Sequence, residues 1–292
     1  MEQWNKIAII GIGLLGGSLG LAIRERGLAK SVYGYVRRQE VIEKCVASGI
    51  VDWAGCDLRE VVNDADLIIL CTPILQMKSL VEKMLPYIKQ GAILTDVGSA
   101  KEKIVAELES MVQNTGAFFV GSHPMAGSEK TGFEYARADL FNNAICIVTP
   151  TQNLPRTTTD KVKNFWKSIG GRVIELSPEI HDVLVSRASH LPHLLAAQLV
   201  LYVLDSNYPE QQATLCATGF RDTTRIASGS PEMWRDIALV NKDNLIKTLD
   251  EFIIRLEQLK RTLDEGDVGK ITEFFNTAKL LRDKWIAQNS EK

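Results

Sequence analysis

The chain has 292 residues with 34 basic and 36 acidic side chains, and a formal charge of -2 gives no field that would gather nucleic acid or an anionic membrane surface. Its five cysteines, Cys45, Cys56, Cys71, Cys146 and Cys216, are widely spaced and form no C-x-x-C pair, which excludes a disulfide framework and points to reduced thiols in the cytoplasm. The uncharged run over 7–23 is cut by five glycines and a serine and falls short of the ~20 residues of a spanning helix, so it reads as neither a signal peptide nor a membrane segment.

Along the N-terminal half, short β-branched runs alternate with amphipathic stretches, the pattern of a parallel sheet with helices on both faces. Strands are expected at 6–10, 32–35, 67–71, 92–96, 118–121, 144–148 and 172–176, with helices at 18–26, 41–48, 75–89, 101–112 and 160–169 between them. Gly27, Gly49 and Gly170 stand where helix C-caps belong. After Ser177-Pro178 the periodicity becomes helical only, starting at a cap-like Ser-Pro-Glu and running over 180–204. From Leu194 to Leu204 only Gln198 is polar, so this helix needs cover on every side, in a bundle core or between subunits. Two amphipathic helices follow at 243–262 and 267–287. The reading is an α/β chain: a Rossmann-type, doubly wound, mostly parallel sheet over 1–176, then an all-helical domain over 177–292.

Directly after the first strand stands GIGLLGGS, which places Gly11, Gly13 and Gly16 in the G-x-G-x-x-G spacing between a strand and a helix. In that context Gly11 permits the tight turn and Gly13 lets a pyrophosphate approach the backbone. Gly16 packs helix on strand, and the helix start with Leu14 and Leu15 offers N–H groups to phosphate. An NAD-selective site places an acid about 20 residues on, at the end of the second strand. Here that place reads Tyr35-Val36-Arg37-Arg38, and the guanidinium groups of Arg37 and Arg38 suit a 2′-phosphate. NADP is the expected cofactor, with NAD the alternative.

Open α/β sheets bind ligands beyond the C-terminal strand ends. Three segments fall there: Cys71-Thr72-Pro73, Asp96-Val97-Gly98-Ser99 and Gly121 to Gly127 with His123. Thr72 and Pro73 border the cofactor loop. His123 in a loop could take a proton from a substrate hydroxyl, with Ser99 bonding both the imidazole and that hydroxyl, and an ordinary histidine base predicts a pH–rate profile rising between about 6 and 7. His190 and His193 share a helical face in an apolar helix broken by Pro192, and no acid or cysteine completes a zinc-like ligand set, so no metal is expected.

These segments together resemble the prephenate and arogenate dehydrogenases of tyrosine biosynthesis. The likeness rests on GIGLLGGS, LCTP at 70–73, TDVGSAK at 95–101, GSHPMAGSE at 121–129, SHLPH at 189–193, GFRDTTRIA at 219–227 and MWRD at 233–236. It implies oxidative decarboxylation of prephenate or arogenate with hydride transfer to NAD(P). His123 would accept the proton of the ring 4-hydroxyl, with Ser99 orienting both. Arg225 would bind the ring carboxylate, His193 the substrate side chain, and Trp234 would give an indole N–H or a pocket wall. The resemblance further implies a homodimer through the helical domain, with His190 and Gly219 near the shared active-site region and Glu129 in an ionic network around the pocket. Asp222 would pair either with the ammonium of arogenate or with Arg225 three residues on. NAD-preferring members carry an acid where Val36 stands. A β-hydroxyacid dehydrogenase or imine reductase would place a lysine in the helical domain instead, and a non-catalytic NADP(H) sensor would not need His123, Ser99 and Arg225 together.

Overall fold

The computed structural model describes residues 3–128 and 130–290. Its strands are β1 (Trp4–Ile10), β2 (Ala29–Tyr35), β3 (Trp53–Gly55), β4 (Leu67–Leu70), β5 (Ile93–Asp96), β6 (Phe118–Pro124), β7 (Ile145–Thr149) and β8 (Arg172–Glu175). They form one sheet in the order β3-β2-β1-β4-β5-β6-β7-β8, parallel throughout except for the antiparallel β6–β7 pair. The order reverses between β1 and β4, which makes their C-terminal ends the ligand crevice.

Helices α1 (Leu14–Glu25), α2 (Ile42–Ala47), α3 (Leu58–Val62), α4 (Ile74–Met84), α5 (Glu102–Gln113) and α6 (Arg156–Ser168) connect the strands. Because successive strand residues point to opposite faces, β1 feeds two cores. Ile7 and Ile9 pack with Leu19, Ile23, Phe165 and Trp166, while Ala8 and Ile10 pack with Ile68, Met77, Leu94 and Leu108. Each large apolar side chain so buried stabilises the fold by roughly 1.5 to 3 kcal/mol.

The first of two compact units ends at Lys242 and the second begins at Asp243. Beyond the sheet, the first unit contains α7 (Pro178–Val185), α8 (Leu191–Leu204), α9 (Pro209–Leu215), α10 (Thr218–Thr224) and α11 (Pro231–Val240). The second is built from α12 (Lys242–Asp264) and α13 (Val268–Ser290), whose Ile254, Leu263, Phe275, Leu280 and Leu281 are exposed. Among the described residues no helix is long and apolar enough to cross a membrane.

Several elements differ from the sequence reading. The edge strand β3 and the five-residue α3 are too short to show a period. The helix expected over 180–204 is interrupted by a π turn over 186–190, because Pro192 brings no N–H to the ladder and its ring crowds the preceding turn. α8 is not covered on all sides within one chain: Leu201, Tyr202 and Leu204 are exposed. His123 does not lie in a loop but inside β6, opposite Ile147, because β7 extends the pairing through Pro124.

Gly20 is buried on α1, and a β-carbon there would land on the backbone carbonyl oxygen of Ile50. Gly20→Ala is therefore expected to destabilise the protein by roughly 1 to 3 kcal/mol in urea unfolding. A change within experimental error would show that this helix does not seat against residue 50.

Candidate active site

The glycine loop has the shape that its spacing foretells. Gly11 has φ of 102°, a left-handed conformation that favours glycine, and a β-carbon there would meet Thr72 Cγ2 at 2.8 Å and the Cys71 carbonyl oxygen at 2.9 Å. A β-carbon on Gly16 would fall on the Gly11 carbonyl oxygen, whereas one on Gly13 would meet nothing within 4 Å. Gly13 is the N-cap of α1 and no side chain caps that helix, so the N–H groups of its first turn, which includes Leu14 and Leu15, can serve an anion. Thr72 Oγ1 is buried with no hydrogen-bond partner among the described residues, and Pro73 caps α4. An open cradle with spare donors and an orphaned hydroxyl fits the pyrophosphate of a dinucleotide. At the end of β2, Val36 is buried while Arg37 and Arg38 are exposed, with Arg38 Nε 3.6 Å from Glu40.

Along the same edge of the sheet, β5 ends at Asp96 and β6 carries His123. His123 is 5% exposed, and its Nδ1 lies 2.9 Å from Nε2 of His181. The His181 Nδ1 is in turn 2.7 Å from Oδ1 of Asp182. Both of these partners come from α7, which packs on α5 and β7. The Asp182 carboxylate also accepts the backbone N–H groups of Lys101 at 2.7 Å and Glu102 at 3.0 Å, so it caps the start of α5. Beside it, Asp96 and Lys101 form an ion pair with no exposed surface. Asp96 further accepts the N–H groups of Ser122 at 3.0 Å and Gly98 at 2.8 Å. Ser99 is half-buried, and the hydrogen-bond partner of the His123 ring is His181 rather than its hydroxyl. Its backbone lies beside the His190 ring.

In the helical segment, Asn241 Nδ2 donates to the Asp182 carbonyl at 2.9 Å and lies 3.2 Å from His190 Nδ1. An amide nitrogen offers only hydrogens, so His190 Nδ1 accepts and Nε2 carries the ring proton. That Nε2–H is buried beside the Ser99 backbone, and the indole Nε1–H of Trp234, whose ring stands edge-on to His190 at 6.1 Å, is buried with no partner among the described residues. His193 stacks on Trp234 at 3.7 Å and its Nδ1 donates to the Ser189 carbonyl at 2.9 Å. Arg225, at the end of α10, is exposed and close enough for its charge to act on His193. Asp222 is exposed and lies 3.8 Å from Arg221 rather than pairing with Arg225. Gly219 is exposed with open space around it, and Glu129 lies outside the described residues. The structure thus groups His190, His193 and Trp234, and leaves Gly219 and Asp222 on the surface.

The geometry matches known proteins along the chain. A model of the prephenate dehydrogenase nucleotide-binding domain matches residues 19–175, and one of the prephenate dehydrogenase dimerization domain matches 177–277. The chain belongs to the prephenate dehydrogenase family. A prephenate dehydrogenase of Bacillus subtilis is 37% identical over 97% of this chain and 76% of its own length. A cyclohexadienyl dehydrogenase of Zymomonas mobilis is 33% identical over 97% and 96%. A crystal structure of prephenate dehydrogenase from A. aeolicus, in complex with hydroxyphenyl propionate and NAD+, superposes with a TM-score of 0.90 at 33% identity, covering 96% of this chain and 98% of that one.

For this member of the prephenate dehydrogenase family, the sequence reading missed His181, Asp182 and Asn241. The available signal was a His-Asp pair on the first turns of α7, next to the apolar Val185, where a solvated face would not need both. The electrostatics bear on one expectation. Burial, reinforced by His181, Lys101 and His190, holds the His123 imidazole well below its ordinary value of 6.5, and a base so placed would titrate below the window of about 6 to 7. Burial likewise lowers His181, and pushes His190 down to about 4.

A histidine with a depressed folded-state pKa contributes stability above its unfolded value, and that stability is lost as pH falls toward the folded value. The protein is therefore expected to lose stability as pH falls from 6.5, with up to about 1.4 kcal/mol per pH unit from each of His123, His181 and His190. Urea unfolding between pH 7.5 and 5 measures this. A flat profile across that window would contradict three buried neutral rings.

Proposed function

We propose that this chain catalyses the oxidative decarboxylation of prephenate, with arogenate as the alternative substrate, and prefers NADP. The observation that carries the reading is a buried neutral histidine, His123, on the same sheet edge as an uncapped, glycine-lined helix start. The nicotinamide, when bound, supplies the hydride acceptor. His123 accepts the proton of the ring hydroxyl as that carbon becomes a carbonyl, Ser99 orients the hydroxyl, and loss of the ring carboxylate as carbon dioxide leaves an aromatic product. Arg225 holds the ring carboxylate, while His193, His190 and Trp234 face the rest of the substrate. The unpartnered indole donor on Trp234 supports that placement, since a buried N–H without an acceptor costs about 1 to 3 kcal/mol until a ligand supplies one. Gly219 and Asp222, on the exposed side of α10, and Glu129 complete the proposed substrate surroundings. Residues 1–176 serve the cofactor, and 177–292 serve the substrate and the dimer contact. The exposed apolar side chains of α8, α12 and α13 support a homodimer, and five free cysteines suit a cytoplasmic enzyme.

Steady-state kinetics with prephenate and arogenate, each with NAD and NADP, test the assignment. His123→Asn is expected to lose at least ~100-fold in kcat while cofactor affinity holds. Retention of kcat within threefold would remove His123 from the reaction.

Arg225→Ala is expected to raise KM for the substrate far more than it lowers kcat, because the carboxylate it binds is charged before reaction. About 1.5 to 3 kcal/mol of charge-assisted hydrogen bonding corresponds to a tenfold to hundredfold rise. An unchanged KM would contradict the role.

Cofactor choice rests on the end of β2, where Val36 can neither accept ribose hydroxyls nor repel a phosphate. The expected preference in kcat/KM is at least about tenfold for NADP. Arg37→Ala should reduce it more than Arg38→Ala, because Glu40 already faces Arg38. Equal use of both cofactors by the unaltered enzyme would overturn this reading.

A further inference from the structure

We infer that His181 and Asp182 are positioning residues that fix which nitrogen of His123 is basic. The deduction follows the hydrogens from the charged end. The Asp182 carboxylate only accepts hydrogen bonds, and it already takes two from the backbone at the start of α5. The third, from His181 at 2.7 Å, must be donated by Nδ1–H. A neutral His181 therefore has a bare Nε2, which can only accept. That atom lies 2.9 Å from Nδ1 of His123, so the His123 proton sits on Nδ1 and the lone pair sits on Nε2. With the opposite tautomer of either ring, two lone pairs or two hydrogens would confront each other inside the protein.

The surroundings favour fixing a tautomer over fixing a charge. Asp96 and Lys101 offset each other completely out of solvent. Burial keeps both His123 and His181 neutral, with Lys101 acting in the same direction. The Asp182 charge is balanced by backbone N–H groups at a helix start, where a carboxylate is stabilised. When Nε2 of His123 takes the substrate proton, the ring becomes an imidazolium. Its Nδ1–H stays bonded to His181, and the chain ends on a carboxylate that favours the new charge. Neither His181 nor Asp182 needs to touch substrate for this. A carboxylate that orients a histidine in the same manner is a general device of proton-transfer enzymes, and the intervening second ring extends its reach.

The consequence for turnover rests on the activity proposed above, whereas the tautomer does not, and the test separates them. The chain has four histidines, so nitrogen NMR of protein labelled with 15N-histidine can assign every ring. The unaltered protein is expected to show His123 and His181 both protonated on Nδ1. His181→Leu removes the acceptor. It should populate the Nε2–H form of His123 and lower kcat at least ~10-fold, with KM for prephenate changed less than threefold. His181→Gln, whose amide oxygen can replace the Nε2 lone pair, should restore the Nδ1–H form and most of kcat. If His181→Leu does not fold, His181→Asn replaces it, because its shorter amide can still reach Asp182 but stops short of His123. A His123 protonated on Nε2 in the unaltered protein, or a folded His181→Leu with kcat within twofold, overturns the inference. The expected tautomers in a protein that turns over neither prephenate nor arogenate would instead overturn the proposed function and leave the relay standing.

Discussion

One buried carboxylate holds the sheet and the helical segment together at the reacting edge. Asp182 is 1% exposed, and its carboxylate accepts from three donors: the His181 ring on its own helix, and the Lys101 and Glu102 N–H groups at the start of α5. Its backbone carbonyl accepts from a fourth donor, Asn241, just past α11. An isolated carboxylate so placed would be costly, and removal of any donor would leave part of that cost uncompensated. The attachment of α7 and α11 to the sheet is therefore specified by polar geometry as well as by apolar contact. Ile237 and Val240 of α11 supply the apolar part by joining the core on the α4–α5 face.

The second buried pair explains why the turn after β5 has one shape. Asp96 accepts from Gly98, Ser122 and Lys101, so the turn 96–101 closes on itself and is tied to β6 at once. Ser122 returns a bond from its hydroxyl to the Asp96 carbonyl at 2.6 Å. Ser99 rides on this turn and His123 follows Ser122 directly, so their separation is set by a rigid polar knot rather than by a loop. A base that must meet a hydroxyl within a few tenths of an ångström benefits from such support.

The parallel sheet and its glycine loop were legible because each strand carries its own local signal, and because G-x-G-x-x-G has meaning only between a strand and a helix. His123 was legible as a candidate, but its setting was misread: Gly121 and Pro124 look like loop punctuation, and only the antiparallel partner β7 converts them to strand. In the run 180–204 Pro192 marked a break, but the π turn over 186–190 that accommodates it left no signal of its own, because helical periodicity passes through a π turn almost unchanged. His181 and Asp182 stayed hidden for a different reason. Their significance depends on α7 meeting the start of α5, some 80 positions away, and no local pattern encodes that meeting. At α8 the all-round apolar sequence stands uncovered at Leu201 and Tyr202 in the single chain, so of the two kinds of cover its pattern calls for, a core of its own chain is not the one at those positions.

The distribution of protons around the pocket gives the site a consistent polarity. On the sheet side, the relay leaves His123 with a lone pair at Nε2, suited to receive a proton. On the helical side, Asn241 leaves the His190 proton on Nε2, beside the Ser99 backbone, and Trp234 has an unpartnered Nε1–H suited to receive an anion. His193 is turned the other way by the Ser189 carbonyl and offers an acceptor. A substrate of the proposed kind, which donates through a ring hydroxyl and accepts through carboxylates, would meet complementary atoms on both sides. Asn241 and Asp182 are bonded to each other, so the two polarities are not independent. The residue that makes His123 basic through His181 also holds the amide that makes His190 a donor. The two walls thus meet at Asp182, whose carboxylate orients His181 while its backbone carbonyl holds the Asn241 amide.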